Sequence, residues 1–325
     1  MYNPHLKELI WNKDIPPELS SRMNRARELS WNKFGKKISF YLPGMIKYNG
    51  KIGKYPAISI TGSECALECE HCKGKLLKPM MKANTPEKLI DLCKTLEDMG
   101  NIGVLLTGGS NKSGVMPWEK YSLTIRKIKD STNLKVSIHT GIINRDTALI
   151  LADSGLDQAL IDVIGCDQTL REVYHLDFSI KIIENSLKAL FDANITVIPH
   201  IVIGLHFGEI LGEYSAIKLL SKYKPDTLVF VVMSPLRGTP MENVTPPTPY
   251  EIADIICEGR MLLSESILSL GCERSRNKDG YLTEILAIES GINRIAIQSD
   301  YAINHAKNRG IDINLRETCC SFGHV

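Results

Sequence analysis

Short apolar runs alternate with longer amphipathic stretches along most of the chain. The apolar runs predict strands at 57–61, 103–107, 135–140, 158–163, 196–203 and 227–233, with weaker ones near 269–272 and 294–297. The stretches between them repeat apolar residues at helical spacing, and they predict helices at about 85–99, 117–130, 144–154, 168–191, 209–222, 248–268, 283–290 and 299–309. Two short helices are predicted before the first strand, at about 4–12 and 17–33, on either side of Pro16-Pro17.

Strands that alternate with helices of this length are typical of βαβ units and a parallel sheet. Eight units in roughly 260 residues predict an α/β protein with a (β/α)₈ TIM-type barrel, and an open doubly wound sheet is the alternative. No GxGxxG follows the first strand, and candidate functional residues follow several different strands, so the barrel is favoured. We expect a helical extension over 1–50, the barrel over 51–310 and a C-terminal tail over 311–325.

Composition narrows the class of protein further. The 325 residues include 43% apolar and 23% charged residues, as in ordinary globular proteins. Lys plus Arg is 39 and Asp plus Glu is 37, so charge gives no reason to expect a nucleic-acid partner. The sequence has no apolar run near the ~20 residues that span a bilayer, and its first residues lack the apolar core of a signal peptide. The prediction is a cytoplasmic protein that binds neither nucleic acid nor membrane.

Three of the nine cysteines fall within eight residues, at Cys65, Cys69 and Cys72. Clustered thiols in a reducing compartment indicate a metal site or catalysis. Thiolates are the ligands of iron–sulfur clusters, and three local ligands leave one iron of a [4Fe–4S] cluster open for a substrate or cofactor. A zinc site is one alternative, but zinc sites typically use two CxxC pairs, and here the second pair is missing and His71, the possible fourth ligand, sits inside the turn. Three unrelated free thiols are the other.

The segment CALECEHC, directly after the first predicted strand, resembles the cluster loop of the radical S-adenosylmethionine (SAM) superfamily. The resemblance implies that the three cysteines hold a [4Fe–4S] cluster and that SAM chelates its open iron. It also implies that an electron from the cluster cleaves SAM to methionine and a 5′-deoxyadenosyl radical, which abstracts hydrogen from the substrate. His71 stands where the family commonly has an aromatic residue.

Further motifs resemble the SAM-binding elements of this superfamily. The glycines after the second strand resemble the motif that holds the SAM amino group, with Ser110 in place of the usual acidic residue. The fifth-strand segment PHIVIGL resembles the motif beside the adenine, and PLRGTP resembles a loop that borders SAM and substrate in biotin-synthase-like members. The alternative is that these are strand-to-loop turns and hydrogen-bonded polar groups at a barrel mouth. The predicted cofactor-binding residues are Thr107, Gly108, Gly109, Ser137, His139, Asp162, His200, Ile203, Gly204, Pro235 and Leu236.

Longer stretches resemble the biotin and lipoyl synthase branch, and above all one component of the two-protein lipoyl synthases. They are IDVIGCDQTLREVYHLD, VIPHIVIGLHFGE, VVMSPLRGTPM, LGCERSR and ETCCSF. This resemblance implies sulfur insertion into the octanoyl chain of a lipoyl carrier protein, together with a homologous radical SAM partner and a reducing electron donor. The alternatives are another biotin-synthase-like enzyme that inserts no sulfur, and a non-catalytic iron–sulfur or zinc protein.

Sulfur insertion needs a sulfur source, which in single-chain lipoyl synthases is an auxiliary iron–sulfur cluster. Those enzymes bind it through cysteines of an N-terminal extension, whereas this chain has no cysteine before Cys65. The predicted ligands of a second cluster are therefore Cys272, Cys319 and Cys320, and of the adjacent pair only one is expected to bind. Cys93 and Cys257 lie in apolar helical patterns and are assigned to packing. Further candidates for an auxiliary ligand are Cys166, Arg274, Ser275 and Arg276.

Overall fold

The computed structural model describes residues 15–44, 46–48 and 50–323. Eleven strands form one parallel sheet, and β2 and β3 form a separate antiparallel hairpin. The strands are β1 (Lys37–Tyr41), β2 (Lys47–Tyr48), β3 (Lys51–Ile52), β4 (Ala57–Ser59), β5 (Met81–Lys82), β6 (Gly103–Thr107), β7 (Lys135–His139), β8 (Gln158–Asp162), β9 (Val197–Ile203), β10 (Thr227–Val232), β11 (Ile267–Leu270), β12 (Arg294–Ala296) and β13 (Asp312–Arg316).

Helices separate most of these strands and cover the outside of the sheet. They are α1 (Pro17–Phe34), α2 (Pro86–Asp98), α3 (Trp118–Ser131), α4 (Arg145–Asp153), α5 (Asp167–Glu172), α6 (Lys181–Asp192), α7 (Glu213–Leu220), α8 (Pro249–Leu262), α9 (Lys278–Glu289) and α10 (Asp300–Asn308). Local sequence fixes several helix starts. The Thr85 hydroxyl accepts from the Lys88 N–H ahead of Pro86, and Thr248 and Glu251 form a reciprocal capping box.

The strand order is β13-β1-β12-β11-β10-β9-β8-β7-β6-β4-β5. From β6 to β12 the order follows the chain without the reversal that defines a doubly wound sheet. The segment before β4 contacts the residues that follow β1 and β13, since Gly44 N–H donates to the Tyr55 carbonyl at 3.2 Å and Lys54 N–H donates to that of Glu317 at 2.6 Å. These two backbone bonds join that segment to the β1 and β13 side of the curled sheet. The predicted α/β barrel class is confirmed.

The two faces of the strands have different environments because successive side chains point to opposite sides. Val104, Leu106 and Val136 are fully buried between the sheet and the helices, in the main apolar core. Leu105 instead belongs to a small cluster inside the barrel, and His139 also faces inward. The inner face carries more polar side chains, as expected for a barrel that holds a site at its mouth.

The sheet has three more strands than the eight predicted. β1 pairs with β12 on one side and with β13 on the other, so the sheet extends into both segments that were predicted to flank the barrel, at 1–50 and 311–325. β5 adds the opposite edge. β13 carries no apolar run, because as an edge strand its side chains are largely exposed. β1 is five residues long, and both of its partners lie far away in sequence.

The predicted helix over 168–191 is wrong as a single element. The structure has α5 and α6 with a loop between them, in which His175 adopts a left-handed φ of 58°. This loop contacts the cysteine loop, so tertiary packing interrupts a segment that is helical in pattern. β11 lies slightly before its predicted position, and Cys272 follows it in a loop. The helix predicted at 4–12 lies outside the described residues.

Residues 318–323 run inside the barrel. Cys320 packs in a buried cluster with Tyr41, Leu160, Ile198, Val229 and Ala296, which come from five strands. The Phe322 ring lies 5.1 Å from that of Tyr55. This segment therefore fills part of the barrel interior, where the sequence predicted a tail beyond the barrel.

Candidate active site

The three clustered cysteines lie on one compact loop between β4 and β5. Cys69 is buried, and Cys65 and Cys72 are half-buried. The Cys69 carbonyl accepts from the Cys72 N–H at 3.1 Å and from the Lys73 N–H at 2.8 Å. Glu68 and Lys73 adopt left-handed backbone conformations without being glycine, so the loop is held in a strained shape. Such strain is typical of sites where position matters more than stability.

The turn after β6 packs directly against this loop. A Cβ at Gly109 would overlap the Glu64 carbonyl and the Cα of Cys65, so only glycine fits there. Gly109 N–H donates to the Thr61 hydroxyl at 2.7 Å, and Ala66 N–H donates to the Ser110 carbonyl at 2.8 Å. The close packing of the cysteine loop therefore requires glycine at position 109. This requirement is separate from the SAM contact that the sequence predicted for Gly109.

The thiols of Cys69 and Cys72 interact closely enough to titrate together. Their interaction lowers the pKa of Cys72 and raises that of Cys69, with burial adding to the rise. Among the residues that the structure describes, no three His, Cys, Asp or Glu side chains gather around one point. A [4Fe–4S] cluster binds each thiolate through a different iron, so three thiols on one loop fit such a cluster with one iron left open.

Residues that the sequence did not single out hold the loop from outside. Glu70 pairs with Lys73 at 2.7 Å and with His175 at 2.8 Å, and its N–H donates to the Val173 carbonyl at 2.9 Å. His175 and Val173 lie in the stretch predicted as a continuous helix, which hid them. The break in that helix therefore brings an ion pair to the cluster loop.

His71, which precedes the third cysteine, contacts an aromatic ring. Its ring centroid lies 5.5 Å from that of Tyr174. Burial raises the pKa of Tyr174 well above its usual value, and the nearby charges of Asp162, Cys69 and Cys72 add to this. Tyr174 thus links the cysteine loop to the end of β8 and stays protonated, able to donate a hydrogen bond.

Three of the predicted cofactor-binding residues converge inside the barrel, where β7, β8 and β9 end. The rings of His139 and His200 lie 5.5 Å apart, and Asp162 pairs with His200 in the strand register. Burial lowers the pKa of both imidazoles, to about 4 for His200. His200 Nδ1 lies 3.0 Å from the Ile198 carbonyl and donates to it, which leaves Nε2 as an acceptor. The pair is neutral at neutral pH and faces a carboxylate.

Three other predicted residues lie deeper in the barrel or beside the cysteine loop. Ser137 is fully buried two residues before His139, and its hydroxyl is 2.9 Å from that of Tyr55. Thr107 is buried at the end of β6, and Gly108 packs against Thr61. The structure gives Ser137 a protein partner, whereas Thr107 and Gly108 border the cysteine loop.

The ends of β9 and β10 also reach the mouth of the barrel. Ile203 is buried, and Gly204, at a left-handed φ of 77°, donates its N–H to buried Glu213 at 2.7 Å. After β10, the loop that begins at Pro235-Leu236 approaches the cysteine loop, because Lys75 donates to the Arg237 carbonyl at 2.9 Å. The two loops thus meet across the mouth.

The three cysteines predicted for a second cluster separate into two environments. Cys272 is exposed at the barrel mouth, yet the surrounding protein raises its pKa to about 11, with the charge of Cys319 contributing. Cys319 is half-buried, and a hydrogen bond from Cys320 lowers its pKa to about 6. Cys320 itself packs in the interior apolar cluster. Cys272 and Cys319 are therefore the accessible pair. Cys93 and Cys257 are fully buried in apolar cores, in line with their assignment to packing.

A cleft of about 950 Å³ reaches the cysteine loop from the outer side of the barrel. It touches Cys65 and Gly109 and continues between the starts of α3 and α4 and one side of α6. The described part of the chain contains no helix long and apolar enough to cross a membrane.

Comparison with known proteins decides the family. The radical SAM superfamily pattern matches residues 59–220, which include the cysteine loop and the strands from β6 to β9. The chain belongs to the radical SAM superfamily. Members of this superfamily use a [4Fe–4S] cluster and SAM, and Cys65, Cys69 and Cys72 are the residues whose loop fits that cluster.

Curated relatives and solved structures agree with this membership. The chain is 24% identical over 252 residues to a biotin synthase of Ruthia magnifica, covering 73% of this chain and 74% of that one. It is 21% identical to the Clostridium acetobutylicum biotin synthase, covering 83% of each. Among solved structures, methylornithine synthase superposes with a TM-score of 0.61 at 16% identity over 96% of this chain and 93% of that one. The hydrogenase maturase HydG of Carboxydothermus hydrogenoformans superposes with a TM-score of 0.66 at 13% identity, covering 94% of this chain and 74% of that one.

Proposed function

We propose that this radical SAM enzyme inserts sulfur into the octanoyl chain of a lipoyl carrier protein, acting with a homologous partner. Two lines of support lead to sulfur chemistry. The curated relatives above carry the name biotin synthase, and long stretches of the sequence resemble the two-protein lipoyl synthases. The reducing electron donor remains part of the proposal, since the first SAM cleavage needs an electron from outside.

The observation that carries the proposal is the accessible thiol pair Cys272 and Cys319. Each new C–S bond replaces a C–H bond, so each needs one hydrogen abstraction and one sulfur atom delivered beside the same carbon. The pair lies inside the barrel mouth, while the cysteine loop lies at the end of β4 on the same rim. An auxiliary cluster held there would place sulfur where the substrate radical forms.

The residues present fit such a cluster in part. Cys272 and Cys319 offer two thiols, one exposed and one half-buried. Cys320 would have to leave its apolar surroundings to bind. We therefore assign Cys272 and Cys319 as ligands and leave Cys320 to packing, as expected if only one of two adjacent cysteines binds.

The chain's own groups would position SAM and substrate around these sites. The cysteine loop would hold the cleavage cluster, which when bound supplies the electron for SAM cleavage. Asp162 is a hydrogen-bond acceptor suited to the SAM ribose, and neutral His200 offers Nε2 as an acceptor. Gly109 lets the backbone after β6 approach the cluster loop closely.

A second candidate function is biotin formation. It is favoured by the relatives, since four curated proteins named biotin synthase match this chain at 21–26% identity. The two candidates share hydrogen abstraction and C–S bond formation, and they differ in the substrate. Octanoyl-lysyl peptide and the sulfur-free precursor of biotin separate them directly.

The first experiment counts iron and sulfide per chain after anaerobic reconstitution. Four proteins are compared: wild type, the Cys65→Ala/Cys69→Ala/Cys72→Ala variant, the Cys272→Ala/Cys319→Ala variant, and Cys93→Ala as a control for loss of a packing thiol. We expect about eight irons in the wild type and in the control, and about four in each of the other two. About four in the wild type and none in the triple variant would remove the sulfur source and refute sulfur insertion.

The second experiment measures products. Wild type with SAM, reductant, the partner protein and octanoyl-peptide should form 5′-deoxyadenosine and a sulfur-bearing peptide detected by mass. The Cys272→Ala/Cys319→Ala variant should still form 5′-deoxyadenosine but no sulfur-bearing product. Sulfur insertion into the biotin precursor alone would replace the proposed substrate with the second candidate.

A further inference from the structure

A buried arginine lies inside the barrel beside the segment that carries Cys319. Arg294 begins β12, is 9% exposed, and takes part in none of the ion pairs of the described residues. Its Nη1 donates to the carbonyls of Cys320 at 2.9 Å and Ser321 at 3.3 Å, and its guanidinium lies 5.7 Å from the centre of the Tyr41 ring. Within the described part of the chain, the hydrogen-bond partners of this buried charge are carbonyl oxygens, which carry no full negative charge to offset it.

Two further hydrogen bonds hold the backbone of the segment that Arg294 contacts. Gln158 Nε2 donates to the Ser321 carbonyl at 3.3 Å, and the Tyr41 hydroxyl donates to the Phe322 carbonyl at 3.0 Å. Side chains from β12, β8 and β1 thus fix the path of residues 320–322. Because Cys319 directly precedes the carbonyls bound by Arg294, its direction is set by the same contacts.

The charge of Arg294 also matches what the accessible pair would carry. Cysteine thiolates are anionic, and an iron–sulfur cluster with thiolate ligands is anionic as a whole. Arg294 is a permanent cation, and its low exposure limits screening by water. A cation beside the segment that carries Cys319 would therefore offset negative charge introduced there.

We propose that Arg294 is the positioning residue of the auxiliary site: it fixes the 318–323 segment with Cys319 directed toward Cys272, and its positive charge offsets the anionic group bound there. Only the second half of this inference, the charge compensation, rests on the proposed function. The first half, the placement of Cys319, is a property of the protein without iron. The two halves can therefore be tested separately.

The test compares Arg294→Met, which keeps similar volume without charge, and Arg294→Lys, which keeps the charge but loses the two-carbonyl geometry. Arg126→Met is the matched control, since Arg126 pairs only with exposed Asp153 on the surface. All are made in the Cys65→Ala/Cys69→Ala/Cys72→Ala background, so that any bound iron belongs to the auxiliary site. Thermal unfolding of each variant shows whether it is folded.

Placement is measured on iron-free protein with dibromobimane, which links two neighbouring thiols, followed by peptide mapping. We expect the Cys272–Cys319 link in the parent and in Arg126→Met, and at least a fivefold loss in Arg294→Met. Arg294→Lys should lose less. An unchanged yield in a folded Arg294→Met, or a parent that gives no such link, would overturn the placement. If Arg294→Met does not fold, an unchanged yield in Arg294→Lys decides against it.

Charge compensation is measured on reconstituted protein by iron content and by the reduction potential of the cluster. Arg294→Met should bind at least fivefold less iron, and the cluster that remains should have a more negative potential, because reduction adds negative charge. Arg294→Lys should restore the potential toward that of the parent. Equal potentials in parent, Lys and Met variants would overturn this half. A parent that binds no iron would refute the proposed auxiliary site, while the thiol-linking result would still stand.

Discussion

The buried pair Arg274–Glu284 allows a sharp test of how the loop carrying Cys272 is held. Both side chains are 1% exposed, and Glu284 Oε1 accepts from Arg274 Nε at 3.1 Å and Nη2 at 2.6 Å. Glu284 Oε2 accepts from the N–H of Ser299 at 2.8 Å and from its hydroxyl at 2.6 Å. One carboxylate therefore joins the loop after β11 to the start of α10.

The perturbation is Glu284→Gln, which keeps the shape and removes the charge. Arg274 would then be a buried cation facing a neutral amide, and the new amide N–H₂ would point at a donor. Breaking a buried ion pair by removing one partner costs about 3–5 kcal/mol, a large part of the ~5–15 kcal/mol by which domains are stable. The double variant Arg274→Met/Glu284→Leu removes both charges and should be at least about 2 kcal/mol more stable than Glu284→Gln.

The assay is urea unfolding followed by circular dichroism, with midpoints compared at a common slope. The control is Asp192→Asn, which removes the carboxylate of the exposed i,i+4 pair Lys188–Asp192 at 2.6 Å. That change should cost less than about 0.5 kcal/mol. If Glu284→Gln shifts the midpoint no more than Asp192→Asn does, the buried pair is not what holds this loop.

Three further predictions follow from the site and its supports. Gly109→Ala would push the added methyl into the Glu64 carbonyl and Cys65. The iron content of the cleavage cluster should therefore fall severalfold, while the unfolding temperature changes little. A normal iron content would contradict this packing. Burial holds the pKa of His200 at about 4, against the ordinary ~6.5. Stability should therefore fall by up to about 3 kcal/mol as pH drops from about 6.5 to 4, and this loss should be absent in His200→Gln. Equal pH profiles of the two proteins would refute this. Burial opposes ionisation of Glu289, but contacts with His305, Arg27 and Arg309 outweigh burial and lower the pKa of Glu289. The stabilisation that ionised Glu289 provides should therefore be lost as pH falls below about 4.3. The Glu289→Gln variant should show a flatter acid limb of the stability curve.

The sequence was sufficient for features whose cause is local. Thr85-Pro86 starts α2 through a side-chain cap and a fixed φ, and both act within four residues. The spacing of Cys65, Cys69 and Cys72 places three thiols on one loop, because so short a segment cannot carry them far apart. The strand–helix alternation gave the barrel class for the same reason, since each strand and each helix is recognisable from its own period.

The missed elements depend on partners distant in the chain. β13 has exposed side chains and becomes a strand only by pairing with β1, more than 270 residues earlier in sequence. In the break between α5 and α6, His175 pairs with Glu70 of the cysteine loop. The helical period of the sequence does not reveal this contact.

Taken alone, the sequence determined the chemistry that this protein can hold: a three-thiol loop, glycine where the backbone must pass closely, and apolar strands enough for a barrel. Only the tertiary structure decided which of the remaining groups act together. It directs residues 318–323 into the interior of the barrel and separates accessible Cys319 from packed Cys320. It also places the buried charge of Arg294 against the Cys320 carbonyl. The physical reason is that burial and electrostatic partnership depend on what surrounds a side chain in space, and neighbours in sequence do not specify that.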